Sequence, residues 1–382
     1  MLEREIGELR RRLRKEKCAI QRLSGCYVDE SGQIVTQFTQ SLTFMEEEET
    51  EKLFATLRKT LSGSLGKNLT NLSFSTQDVV SGEKHKTLMA LRETDVQPEC
   101  VQAFYETVAA QLHLPTAYLI LLAQDAYDVP FRGKDHVQVD DGSSEVFRYV
   151  LCCICPVKTT KPALSYFVKE NEFHNSAVNW LVGAPEVGFL FPAFDDRATN
   201  LYGALYYTRS GTENYSELVD ALFGTPAPMP PQLQRETFQT VLVDSLEEDC
   251  SMDTVQYVQN QLCDMIQEHK QNKEPEPLTV GAATVMGMLS DCGVSQAHVE
   301  EFGQQFAESF GEQAALSPAN LVNPKLLEVK TAEATVRIQP DRGDLLETCT
   351  IDGVKYIMIR AEDVVELNGV NVRIGEEEKT AD

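Results

Sequence analysis

The sequence predicts an α+β fold: a mainly antiparallel central sheet with flanking helices, a helical middle and a small C-terminal helix-plus-strand unit. Three observations predict it. Four apolar runs at 118–123, 146–155, 187–191 and 204–207 are short, rich in aromatic and branched side chains, and free of helical period, as strands buried on both faces should be. From about 214 to 270 the apolar residues instead recur at helical spacing. Beyond 281 two short helical patterns give way to three stretches that alternate apolar and polar residues.

Taken in order, residues 2–17 read as a helix, with Leu2, Ile6, Leu9 and Leu13 on one face and Arg10, Arg11, Arg12, Arg14, Lys15 and Lys17 on the others. From Met1 to Gly25 there are eight Lys/Arg and four Asp/Glu, a net +4. Such a helix either docks on the protein's own acidic body or faces a polyanion. Two β-prone runs around Asp29 to Gly32 signal a hairpin. A helix follows at 47–61, its acidic start and its basic last turn, Arg58 and Lys59, complementing the helix dipole. Another spans 98–112 and stops at Pro115.

The polar stretch 125–144, with Asp125, Asp128, Arg132, Lys134, Asp135, His136, Asp140 and Asp141, is expected to be a loop between buried strands. Residues 162–184, which hold Asn171-Glu-Phe-His-Asn175 and the only tryptophan, Trp180, are expected to include a helix. Helices are then predicted at 214–223, 231–246, 253–270, 281–292 and 295–310, and strands at 327–338, 347–359 and 365–374, with Asp352-Gly353 as a hairpin turn. The proline-bearing run from His269 to Pro277 is the best linker.

These patterns divide the chain into a basic N-terminal helix (1–24), a central α+β sheet domain (25–225), a helical segment (226–272), a linker (273–280), a C-terminal α+β unit (281–375) and an acidic tail (376–382). With 382 residues, 42% apolar and 24% charged, the chain can bury more than one core. No apolar run approaches the ~20 residues that span a bilayer, and the charged start lacks a secretory apolar segment, so cytoplasmic residence and no membrane partner are expected. Ten cysteines in such a chain are expected to be reduced thiols. The net charge of -25 opposes binding of nucleic acid as a whole-molecule average, though not at a local basic patch.

No motif fixes a reaction. Gly63, Gly66 and Lys67 evoke a phosphate loop, but two residues rather than four separate the glycines and Asn68 stands where a hydroxyl should bind magnesium. Cys152, Cys153 and Cys155 lack zinc spacing, and in a strand Cys152 faces away from the other two. The one polar set that could converge is Asp125, Asp128, Glu172, His174, Asp195, Asp196 and Arg197. Carboxylates meeting at strand ends can hold a divalent metal or act as an acid and base pair, with His174 carrying a proton. Each can equally cap a helix, close a turn or pair with an arginine.

Cys18-Ala-Ile, Arg58-Lys-Thr-Leu-Ser-Gly with Gly66-Lys-Asn-Leu69, and Tyr118-Leu-Ile-Leu-Leu with Asp125-Ala-Tyr-Asp-Val-Pro130 carry a resemblance. Cys152-Cys-Ile-Cys-Pro-Val157, Asn171-Glu-Phe-His-Asn175 and Gly188-Phe-Leu-Phe-Pro-Ala-Phe194 carry it further. Through them nearly the whole chain resembles a bacterial family of unknown function, the domain of unknown function 4317. In its order of elements the chain also resembles the bacterial 37-kilodalton nucleoid-associated proteins, whose terminal segment would correspond to 329–338 and the hairpin at 351–359. That resemblance implies association with the chromosome rather than turnover of a substrate.

The reading adopted from sequence is a non-enzymatic cytoplasmic binding protein without a cofactor, nucleoid-associated by resemblance. Its nucleic-acid contacts would be Arg10, Arg11, Arg12, Arg14, Arg58, Lys59 and Lys67. The alternatives are a metal-assisted hydrolase or transferase built on the Asp/His set, and a scaffold whose partner is another protein or a second copy of itself.

Overall fold

The apolar runs do pair edge to edge. The computed structural model describes residues 1–132, 138–175, 178–272, 274, 276–361, 365–367 and 369–372. Its contacts group into two units, Met1–Thr237 with Glu274–Pro277, and Phe238–Lys273 with Leu278–Asp382. The first unit opens with α1 (Glu3–Arg12), β1 (Arg22–Val28), β2 (Ile34–Ser41) and α2 (Glu47–Lys59). Next come β3 (Leu69–Ser73), α3 (Thr76–Ser81), α4 (Glu83–Leu91) and α5 (Pro98–Gln111). Two long strands follow, β4 (Tyr118–Arg132) and β5 (Gln138–Thr159), then β6 (Leu164–Phe167), β7 (Glu172–Asn175) and β8 (Trp180–Val182). The last elements of this unit are β9 (Val187–Phe191), β10 (Ala193–Asp195), β11 (Ala198–Asn200), β12 (Gly203–Thr208) and α6 (Ser216–Phe223).

The main sheet runs β2-β1-β4-β5-β9-β12-β3 with β8 added at the end of β5, and each of these neighbours is antiparallel. Its centre is covered on both faces, which is why the central strands read as continuous apolar runs. One face packs Ile120, Leu122, Cys152 and Phe189 with Leu88 of α4, Phe104 of α5 and Phe223 of α6. The other packs Leu121, Cys153, Cys155 and Leu190 with Leu9 of α1 and Phe54 of α2. The three clustered thiols thus divide between the faces as strand alternation requires. The predicted α+β fold is the one observed.

Two local expectations are corrected. The stretch 125–144 is not a loop where it is described: β4 continues to Arg132 and β5 begins at Gln138, so the backbone at Asp125, Asp128, Asp140 and Asp141 lies in strands. The alternation in Tyr127, Asp128 and Val129, buried, exposed and buried, is the strand period that the acidic residues obscured. Pro130 falls where the β4–β5 register shifts, a place that tolerates a missing N–H. Lys134, Asp135 and His136 lie outside the described residues, as does the acidic tail. The second correction concerns 162–184, where β6 and β7 form a hairpin and Trp180 begins β8 in place of a helix. Asn171, at a φ of 57°, supplies the left-handed residue of that hairpin's turn.

In the second unit, Phe238, Val241, Leu242 and Leu246 of α7 (Pro231–Leu246) join a core with Val258 and Leu262 of α8 (Met252–Asn272). Leu289 of α9 (Ala282–Asp291), Phe302 and Phe306 of α10 (Gln296–Phe310), and Leu321 of α11 (Pro318–Leu321) complete it. Three two-stranded ribbons follow: β13 (Leu327–Lys330) with β14 (Thr335–Ile338), β15 (Leu346–Ile351) with β16 (Val354–Ile359), and β17 (Val365–Leu367) with β18 (Val370–Val372). Asp352 and Gly353 turn the middle ribbon at φ 51° and 79°, as the Asp-Gly signal predicts. No helix among the described residues is long and apolar enough to cross a membrane.

Asp249 gives this unit a pH dependence. Its carboxylate lies 2.7 Å from His298 Nδ1 and accepts from the Ser295 backbone N–H at 3.2 Å, and both hold it below the usual carboxylate range. A depressed folded-state value means the stabilisation is complete above the unfolded value and is lost as pH falls through the folded one. We expect Asp249→Asn to flatten that acid-side loss. Amide-exchange protection of α10, followed from about pH 5 to pH 2, reads the difference.

Candidate polyanion-binding surface

Parts of the two sets of charged residues singled out in the sequence meet at α1, on opposite sides of it. Its inward polar edge is a ladder of pairs. The Met1 ammonium lies 2.5 Å from Asp195 Oδ1, and Glu5 Oε1 accepts from the Asp196 backbone N–H at 3.0 Å. Glu8 accepts from Arg197 Nη1 at 2.6 Å through both oxygens and from Tyr127 Oη at 2.6 Å. Arg12 Nη2 stands 3.5 Å from Asp125 Oδ2 and donates to the Ala126 carbonyl at 3.0 Å, with its guanidinium 4.2 Å above the Tyr127 ring.

Asp125 is buried at the far end of this ladder. It accepts from the Ala19 backbone N–H at 2.7 Å and from Tyr149 Oη at 2.8 Å. Burial, with the Asp125 charge beside it, pushes the Tyr149 phenol well above its ordinary range, so it stays a donor. The carboxylates of Asp125 and Asp195 therefore pair with residues at opposite ends of α1, Arg12 and Met1, a helix of about 15 Å lying between them. They are docking partners of α1 and do not share one point.

The outward side of α1 gathers the cations. Arg10, Arg11 and Arg14 line a hollow of about 410 Å³ together with Ala55, Arg58, Lys59 and Ser62. The last turn of α2 supplies the far wall because Arg58 Nη1 donates to the Leu13 carbonyl at 2.8 Å, tying the two helix ends together. Carbonyl-rich helix ends favour nearby cations, which makes the crowding of positive charge tolerable. Arg58 is also held by Glu51, at 2.6 Å, whereas Arg10, Arg11, Arg14 and Lys59 are exposed. No acidic side chain lines the hollow.

Five of the seven basic residues predicted from sequence thus converge. Arg12 does not, because it turns inward to Asp125, and Lys67 lies apart, beside Gly211. Of the acidic set, Asp128 is exposed on β4, while Glu172 and His174 lie on the exposed hairpin. His174 Nε2 is 3.3 Å from Glu172 and 3.5 Å from Glu170. Among the described residues no group of three or more His, Cys, Asp or Glu side chains is placed to hold a metal. The Cys153 and Cys155 sulfurs lie 3.5 Å apart in the core, where their mutual hydrogen bond and burial push the Cys155 thiol up.

Sequence reasoning missed Glu5, Glu8 and Tyr127 as members of the ladder. A signal was available: Glu5, Glu8 and Arg12 each sit one position before a stripe residue, Ile6, Leu9 and Leu13, so they flank the apolar face and meet whatever it docks on.

No curated protein and no solved structure matches the chain. One family model does, described as "Domain of unknown function (DUF4317)", over residues 1–370. That span takes in the docked helix, the sheet and the second unit together, and the chain therefore belongs to the DUF4317 family.

Proposed function

We propose that this chain is a non-enzymatic binding protein that holds a phosphate-rich polyanion, namely the backbone of duplex DNA, in the hollow between the C-terminal ends of α1 and α2. The observation that carries this reading is the convergence of Arg10, Arg11, Arg14, Arg58 and Lys59 on one concave surface without an acidic neighbour in its lining. A chain of net charge -25 repels a polyanion on average, so a local basic patch is where contact is favoured. No aromatic ring lines the hollow, which favours phosphates over stacked bases and predicts binding without sequence preference. In a cytoplasmic setting the chromosome is the partner of this chemistry.

Titrating a labelled duplex at several salt concentrations tests the proposal. Arg10, Arg11, Arg14 and Lys59, each neutralising one phosphate, give a slope of log K against log salt of roughly -3 to -4, at about 0.9 per contact. Replacing all four with alanine is expected to abolish that slope and the binding with it, while Lys67→Ala leaves both unchanged. Binding that ignores salt, or no binding even in dilute buffer, overturns the reading.

A further inference from the structure

The main sheet has a gap one strand wide. β1 and β5 flank β4, but β4 begins only at Tyr118, opposite Val28 and Pro156. β5 runs on to Thr159, where β8 has joined its other edge. The register that sets Tyr118 against Pro156 would set residue 115 against Thr159. That residue is Pro115, which has no N–H to give, and the chain bends there.

Strand alternation shows what the gap leaves open. Thr160 N–H donates to the Asn179 carbonyl and Gly183 N–H to the Pro156 carbonyl, so residues 156, 158 and 160 turn their backbone groups toward β8. Val157 turns the other way, its N–H donating to the Ala117 carbonyl at 2.7 Å. Thr159 shares the direction of Val157, and among the described residues no strand lies on that side of it. Its N–H and C=O therefore face the gap. A hollow of about 720 Å³ occupies this place, within the ~300–1,000 Å³ of pockets that enclose small ligands. Tyr27, Asp29 and Glu30 line the wall beside β1, and Lys158, Thr159 and Trp180 line the wall opposite. Asp29 is held by its own turn, accepting from the Ser31 and Gln33 N–H groups at 2.9 Å, whereas Glu30 is exposed.

We infer that this hollow binds an extended peptide segment of basic character, one residue of which exchanges both backbone hydrogen bonds with Thr159. Three features select that occupant. An N–H and a C=O side by side on a strand edge are matched by the C=O and N–H of another extended backbone. Tyr27 and Trp180, the latter 62% exposed, offer ring faces to the flanking side chains. Asp29 and Glu30 outnumber Lys158 in the lining, and the whole chain carries -25, so a basic segment is favoured both in contact and on approach. The lining shares no residue with the basic hollow, so this inference stands or falls separately from DNA binding.

Trp180 is the only tryptophan and lines the hollow, which makes the test direct. The probe is a blocked peptide, acetyl-Lys-Val-Thr-Val-Lys-amide, titrated into the full chain up to about 1 mM. Trp180 emission is expected to move to shorter wavelength and to saturate as the peptide covers the ring. The same peptide with every backbone N–H methylated, which leaves no donor in any register, is expected to bind about tenfold more weakly. Thr159→Pro, which removes the edge donor without removing a ladder bond, is expected to weaken the unmethylated peptide about as much. Glu30→Gln is expected to narrow the preference for this peptide over its counterpart with glutamate at both ends. Absence of a saturable shift overturns the inference. So does equal binding of the methylated peptide to the unaltered protein, a result that does not depend on how Thr159→Pro folds, because contact is then through side chains alone. Equal binding of the glutamate peptide overturns it as well, because the charge of the hollow then selects nothing.

Discussion

Replacing Asp125 with alanine is expected to lower the stability of the first unit by about 3–5 kcal/mol, the range for breaking a buried ion pair by removing one partner. The Asp125 side chain is fully buried and that of Arg12 only 17% exposed, so the guanidinium loses its counterion without gaining water. Tyr149 Oη and the Ala19 N–H lose their acceptor in the same step. The buried Tyr149 hydroxyl, left without a partner, adds a penalty of about 1–3 kcal/mol on its own. The reciprocal variant, Arg12→Ala, is expected to destabilise as well, and the double variant to cost less than the sum of the two, because the second change removes a charge the first has stranded. Denaturant unfolding of the three variants measures this. A loss below about 1 kcal/mol for Asp125→Ala would mean that the Arg12–Asp125 pair contributes little to seating α1. The outcome also governs the proposed function, since the basic hollow exists only while α1 is seated.

Gly188→Val is expected to cost about 3 kcal/mol, at the top of the range for overpacking a well-filled core. Gly188 sits in β9 between Cys153 of β5 and Tyr207 of β12. A Cβ there would lie 2.5 Å from the Cys152 carbonyl oxygen and would also collide with the Thr60 methyl. The methyl can turn aside, but the carbonyl belongs to the adjoining strand and can retreat only if β9 separates from β5. Amide exchange should therefore show reduced protection across 150–154 and 187–191 before it changes at α10. Unaltered protection there would show that the sheet accommodates the side chain by a shift too small to break the ladder.

The arrangement of α1 shows how far the sequence could be read. Arg10, Arg11, Arg12 and Arg14 are the same residue within five positions, and all four were reasonable contacts for a polyanion. Rotation of about 100° per residue sends Arg12 to the sheet and leaves the others in water. What selects it is Asp125, more than a hundred residues away, and no local pattern announces that pairing. The same blindness made a loop of residues 125–132. Asp125 and Asp128 look like loop residues, yet one is buried because Arg12, Ala19 and Tyr149 satisfy it, while the other takes the solvent face of an alternating strand. Trp180 and its neighbours went astray for a related reason: a bare apolar ribbon has no core of its own, so its pattern suggested a helix lying on one.

By itself the sequence determined the α+β fold, the four buried strands, the helix stripes, the Asp-Gly turn and the presence of a basic N-terminal segment in an acidic chain. Those features follow from side-chain period, apolar content and local turn chemistry, which act over a few residues. Only the tertiary structure decided which charges cancel and which remain for a partner, and which apolar side chains stay uncovered. Those are properties of surfaces brought together from distant parts of the chain. The physical reason is desolvation: an arginine or a carboxylate has one role in water and another beside a buried counterion, and packing alone decides which it has.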